Sequence, residues 1–189
     1  MRRVALAGLI VVVLAGCGTK TVTVTQTVTT TVTKTVTTTP APPAAAAACT
    51  GSDLGGSFSE VPGSAGAGQV TYTLHLTNTS SSPCFVSGLP QLQLLGANGA
   101  QLPTAATAAQ PGTATAAKIE LQPGASAASD ARFSPDVPGV GEQQAGACEA
   151  TASQVQVTLS GGGSVTVPVS PPTPVCEHGA MRLSLLAAA

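Results

Sequence analysis

The chain has no tryptophan, and its 189 residues include only one tyrosine and three phenylalanines. Charge is nearly as scarce, with Asp, Glu, Lys and Arg together making up 8% of the sequence. A domain with so few large rings has to bury Val, Leu and Ala instead, so the predicted core is modest. From Cys49 onward three basic residues (Lys118, Arg132, Arg182) face eight acids, a net of minus five. That balance leaves no basic stripe and excludes nucleic-acid recognition through phosphates. No apolar run reaches the roughly 20 residues that a membrane-spanning helix requires.

Motifs of catalysis are missing as well. The sequence contains no HExxH, GxSxG, SxxK or DxDxDG pattern, and these are the arrangements that announce zinc hydrolysis, serine nucleophiles or a calcium loop. Only two histidines are present, His75 and His178. A transition-metal site or a serine–histidine pair would have to be built on one or both of them, and a solvated surface histidine is the plainer reading. The acids Glu120, Asp130, Asp136 and Glu142 read as solvated charge on loops and strand ends. No catalytic, cofactor-binding or metal-binding residue is therefore predicted, and the chain reads as a non-enzyme.

What is present starts at the amino terminus. Arg2 and Arg3 precede an apolar stretch over 4–14 and a run of small residues, which is the layout of a secretory signal over 1–16. Leu14-Ala15-Gly16-Cys17 resembles the lipobox of bacterial lipoproteins, in which the matching cysteine is diacylated on sulfur and becomes the new amino terminus. Cys17 is thus the predicted lipidation site. Cysteine arithmetic agrees: five cysteines in an exported chain leave one over, and removing Cys17 leaves four. Cys49, Cys84, Cys148 and Cys176 are the disulfide candidates. They allow three pairings, of which the sequence-local one, Cys49–Cys84 with Cys148–Cys176, is favoured. No two of these four have the two-to-four-residue spacing that zinc sites favour.

Residues 17–48 read as a tether. A TVTx repeat places Val24, Val28, Val32 and Val36 four apart, yet β-branched residues and threonine hydroxyls oppose a helix. Pro40, Pro42 and Pro43 extend the stretch towards polyproline conformation. Threonine beside proline is also the composition of O-glycosylated stalks.

From Cys49 the dominant period is two. Val70, Tyr72, Leu74 and Leu76 share one face of a predicted strand, with His75 on the other. Leu92 and Leu94 repeat the alternation before an Asn98-Gly99 turn. "AKIEL" and "ASDARF" flank a Pro123-Gly124 turn. Val155, Val157 and Leu159, three glycines, then Val165, Val167 and Val169 predict a hairpin, and Met181, Leu183 and Leu185 a last strand. The small, polar segment 104–117 reads as a mobile loop. Seven to nine short strands with Gly/Pro turns and no helix indicate an all-β fold over 49–189, an antiparallel immunoglobulin-like β-sandwich. Asn78-Thr79-Ser80 fits a glycosylation sequon but is better read as turn chemistry.

Three blocks, "LTNTSSSPCFVSGLPQLQLLGANG", "IELQPGASAASDARF" and "VCEHGAMRLSL", resemble those of actinobacterial lipoproteins that carry the domain of unknown function "four-two-three-two". Asn78, Cys84 and Gly88-Leu89-Pro90 match its turn, cysteine and Gly-aromatic-Pro motif, with Leu89 where an aromatic is common and Phe133 where Trp is frequent. The resemblance implies an exported sandwich on a lipid anchor and brings no activity with it. The expected role is a non-catalytic interaction module at the outer face of the cell membrane. It is held there through its N-terminal lipid and engages an envelope protein, glycan or lipid, with loops 96–99, 104–117 and 134–146 as contact surface. An envelope hydrolase or metal-dependent enzyme, and a purely structural stalk, are the competing readings.

Overall fold

The computed structural model describes residues 45–112 and 116–189. The expected signal segment 1–16, Cys17 and the tether as far as residue 44 lie outside the described residues.

Among the described residues twelve strands form two sheets around one core. The first four are β1 (Ala47–Ala48), β2 (Leu54–Glu60), β3 (Val70–Asn78) and β4 (Cys84–Ser87). Next come β5 (Gln91–Leu95), β6 (Ala105–Ala108), β7 (Lys118–Leu121) and β8 (Ser126–Phe133). The last are β9 (Ala152–Thr158), β10 (Ser164–Thr173), β11 (Ala180–Leu183) and β12 (Ala187–Ala188). One sheet has the order β1-β4-β7, and the other runs β5-β9-β10-β2-β3-β8-β11-β6, with β12 beside β8. In the lettering of an immunoglobulin sandwich, β2, β3 and β8 stand where strands A, B and E do, and β5, β9 and β10 where C, F and G do.

Period-two alternation sets the faces. Val70, Tyr72, Leu74 and Leu76 are buried along β3, while His75 between them is exposed. In the β9–β10 hairpin Val157 pairs with Val165 and Val155 with Val167, and all four are buried. The scarce rings are concentrated: Tyr72 lies between Phe58 and Phe133 with centroids 5.2 Å away on each side. Such tilted pairs add about 0.5–1.5 kcal/mol each beyond area burial, so three of the four aromatic side chains stabilise one spot. Disulfides Cys49–Cys84 and Cys148–Cys176, with Cα atoms 4.9 Å and 5.6 Å apart, close the pairing that sequence locality favoured.

Two expectations are corrected, the all-loop reading of 104–117 and the burial of Leu185, and the parallel pairings and strand β2 add detail that the sequence did not display. Pairing is mainly antiparallel, but β1 with β4, β2 with β10 and β6 with β11 are parallel. Segment 104–117 is not all loop, because Ala105–Ala108 pairs along β11 with Ala106 packed against the core. Alanine is too small to announce that alternation in sequence. Leu186, not Leu185, completes the burial after Leu183, since the chain leaves the strand at Ser184. Strand β2 carries no alternating signal because Gly55 and Gly56 interrupt it, and a Cβ at Gly56 would lie 2.0 Å from the His75 carbonyl oxygen.

Candidate functional site: an acid–histidine corner and an arginine groove

Two places on the domain gather chemistry-bearing side chains. The first forms where the segment after β8 meets the four-residue turn Cys176–Gly179. In that turn Glu177 (φ 56°) and His178 (φ 57°) are left-handed, a conformation costing on the order of 1–3 kcal/mol for residues with a Cβ. Gly179 continues it at φ 76°, where a Cβ would lie 2.0 Å from the Pro103 carbonyl oxygen. Only glycine fits there. Consecutive left-handed residues point successive N–H groups the same way and make a concavity for an anion.

Glu142 supplies that anion. Its Oε2 accepts the Gly139 N–H at 2.6 Å and the Glu177 N–H at 2.8 Å, and its Oε1 accepts the His178 N–H. The carboxylate side chain is 2% exposed. Burial alone pushes its pKa up, but the three backbone donors and the neighbouring His178 outweigh that effect and hold it below the usual value. Glu142 is thus a buried anion that orders its loop, and its expected role as solvated charge is corrected.

The His178 ring stands over this carboxylate. Its Nδ1 lies 3.4 Å from Glu142 Oε1 and 3.8 Å from Glu149 Oε1. On the other edge Nε2 is 3.0 Å from the Val140 carbonyl oxygen. A carbonyl only accepts, so Nε2 carries the proton in that contact. The Cys148–Cys176 bridge brings the pieces together: Glu149 follows one cysteine and His178 is two residues past the other.

The second place is on the outer face of the sheet. Arg182 of β11 pairs in register with Arg132 of β8, and Arg132 pairs in turn with Thr71 of β3. With Gln69, Ala109, Asp130 and Ser184 these residues line an open groove of about 530 Å³. Asp130 accepts the Thr73 hydroxyl at 2.7 Å, and its N–H donates to Ser184 Oγ at 2.9 Å. Among the described residues neither arginine is in an ion pair. A smaller hollow of about 130 Å³ is lined by Cys49, Leu89 and Leu186 together with polar residues such as Gln91 and Thr158.

Residues 49–185 match the family model described as a domain of unknown function (DUF4232). The chain belongs to the DUF4232 family. No curated protein and no solved structure matches it.

Within this DUF4232 domain the residues singled out from sequence are distributed as follows. Cys17 lies outside the described residues. Cys49, Cys84, Cys148 and Cys176 are all paired. The two histidines do not meet: His75 faces solvent from β3, and His178 joins Glu142 and Glu149. Asn78 is 1% exposed and donates both amide hydrogens, to the Ser82 and Leu121 carbonyls at 2.8 Å and 2.9 Å. Its Oδ1 accepts the Ser80 N–H and hydroxyl, so it is a structural turn residue, as read. Sequence reasoning passed over the cluster of Glu142, Glu149 and His178 because no local spacing joins positions 142, 149 and 178. The disulfide pairing was the one available signal. The Arg132–Arg182 pair required the register of β8 and β11.

Proposed function

We propose that this chain is an exported lipoprotein, anchored through lipid on Cys17 at the outer face of the cell membrane. Its sandwich is a non-catalytic binding module for an anionic partner of the envelope. The pairing of Arg132 with Arg182 carries the reading. Like charges directly opposite on neighbouring strands are destabilising, and they lie in a domain with a net of minus five from Cys49 onward. An anion in the groove offsets that repulsion, and guanidinium forks suit phosphate or carboxylate groups. The hydroxyls of Thr71 and Ser184 border the same groove and suit a hydrated, oxygen-rich ligand.

Pairing of four cysteines with one another leaves Cys17 as the odd one, which supports the anchor. Binding is favoured over hydrolysis because, among the described residues, no hydroxyl or thiol is hydrogen-bonded to either histidine ring, whereas nucleophilic catalysis needs that contact.

Titration of the full chain with polyphosphate and with a carboxylated glycan tests the partner's chemistry. Saturable, salt-sensitive binding to one of them that weakens about tenfold in Arg132→Gln or Arg182→Gln is expected, the loss of roughly one charge-assisted contact. Binding unchanged in the double variant, or none at all, overturns the groove. Intact mass from the native membrane fraction tests the anchor: a diacylglyceryl group at Cys17 supports it, and an unlipidated chain beginning at Met1 overturns it.

A further inference from the structure

We infer that the acid–histidine corner is a binding site for a first-row divalent transition-metal ion, with zinc the best fit, held by His178 Nδ1, Glu142 Oε1 and Glu149 Oε1. The three donor atoms lie within 4.8 Å of one another. Zinc bonds of about 2.0–2.2 Å to nitrogen and carboxylate oxygen place the donors of a tetrahedron about 3.3–3.6 Å apart. The Nδ1 to Glu142 edge is 3.4 Å, and the Nδ1 to Glu149 edge is 3.8 Å. The third edge, between the two carboxylate oxygens, is within 4.8 Å, and an inward movement of Glu149 completes the triangle.

The protons and lone pairs point the same way. With its Nε2 proton on the Val140 carbonyl, the neutral form of His178 that a metal ion binds turns the lone pair of Nδ1 toward two carboxylates. A metal-bound histidine characteristically donates its other N–H to a backbone carbonyl, which fixes tautomer and ring orientation. A carboxylate offers about four acceptor positions; three backbone donors occupy three positions on Glu142, and Oε1 receives only one of them. This ligand is oriented in advance and retains one free position on the side facing the ring. Two carboxylates and a neutral imidazole sum to minus two, the complement of a divalent ion. Imidazole among the donors selects a transition metal over calcium or magnesium.

Three protein donors leave at least one coordination position open. The His178 side chain is 60% exposed, so that position faces solvent and can take water or a donor from a second molecule. The inference does not depend on the arginine groove, and either can fail alone.

The test is uptake of Zn²⁺, and of Co²⁺ followed by its visible absorption, by the untagged full chain after chelator treatment. One ion per chain is expected, with His178→Gln and Glu149→Gln each weakening affinity by at least about tenfold while the domain without metal stays folded by circular dichroism. Glu142→Gln is left out because it removes the carboxylate that orders the loop. Imidazole nitrogen chemical shifts give a readout independent of affinity, and Nδ1 is expected to shift on addition of Zn²⁺ while Nε2 stays protonated. Absence of saturable uptake, uptake unaffected in both variants, Ca²⁺ binding more tightly than Zn²⁺, or an Nδ1 that keeps a proton in excess Zn²⁺ would each overturn the site.

Discussion

Arg132 and Arg182 stand directly opposite each other on neighbouring strands, and among the described residues neither is in an ion pair. Two of the three cations found from Cys49 onward are therefore brought together rather than spread over an acidic surface. On the proposed function, the arrangement trades stability for a binding face. Replacing Arg182 by Gln should stabilise the unliganded domain by about 0.2–1 kcal/mol while weakening anion binding, read from denaturant midpoints beside titrations. A variant that loses both stability and binding would mean that the arginine stem is needed for packing.

Leu89 lines the hollow of about 130 Å³ beside Cys49 and Leu186. Leu89→Phe puts a ring where there is space and should raise stability by about 1 kcal/mol, a gain of the size typical for cavity filling. Thermal melting of the pair of proteins checks it, and a lower melting temperature would show that the wall does not yield.

Asn78 joins both sheets, since it belongs to β3 and donates to the Leu121 carbonyl at the end of β7. Asn78→Ala strands two carbonyls and a turn N–H, and should cost about 2–4 kcal/mol. Chemical denaturation measures the loss. The same residue in protein from the native membrane should carry no glycan, because both of its amide hydrogens are engaged.

The Asp53 carboxylate receives the backbone N–H and the hydroxyl of Thr50, each at 2.7 Å. The hydroxyl first and the backbone second hold its pKa below the ordinary 3.8. The unfolded chain thus takes up the proton at higher pH than the folded one, so this contribution is present above about 3.8 and is lost as pH falls through the folded value. An Asp53→Asn variant should show a shallower loss of stability below pH 4, as followed in acid titrations of unfolding.

Removing the Cys49–Cys84 bridge as a double Ala variant should cost about 3–4 kcal/mol on the chain-entropy account of a loop of 35 residues. Opening Cys148–Cys176 has a second effect, because that bridge sets Glu149 beside His178. Its loss should abolish zinc uptake under conditions where the sandwich is still folded, as judged by circular dichroism alongside metal titration.

Much of the sandwich was legible in sequence wherever large apolar residues alternate with polar ones. Strand β3 and the β9–β10 hairpin fall where their valines and leucines placed them. Legibility ended where the side chains become small. Ala105–Ala108 and the Gly55-Gly56 stretch of β2 form strands through backbone pairing, without a pattern of volume for sequence to display. Parallel pairings escaped for a related reason, since alternation specifies a face and not a neighbour. The acid–histidine corner was the least legible part. A buried Glu142 and a surface acid have the same letter, and what separates them is the pair of left-handed residues that aim their N–H groups at it.

The entry of the chain into the fold has a mechanical meaning. Ala47 and Ala48 pair with Cys84 and Phe85, and the next residue, Cys49, is bonded covalently to Cys84. A load applied from the N-terminal side peels this two-residue strand and then meets a sulfur–sulfur bond before it reaches the core. The force passes through that bond, so residues 50–83, with β2 and β3 among them, stay off the line of tension. On the order of 100 Å of chain at about 3.3 Å per residue is thereby withheld as slack that pulling cannot release while the bridge is intact.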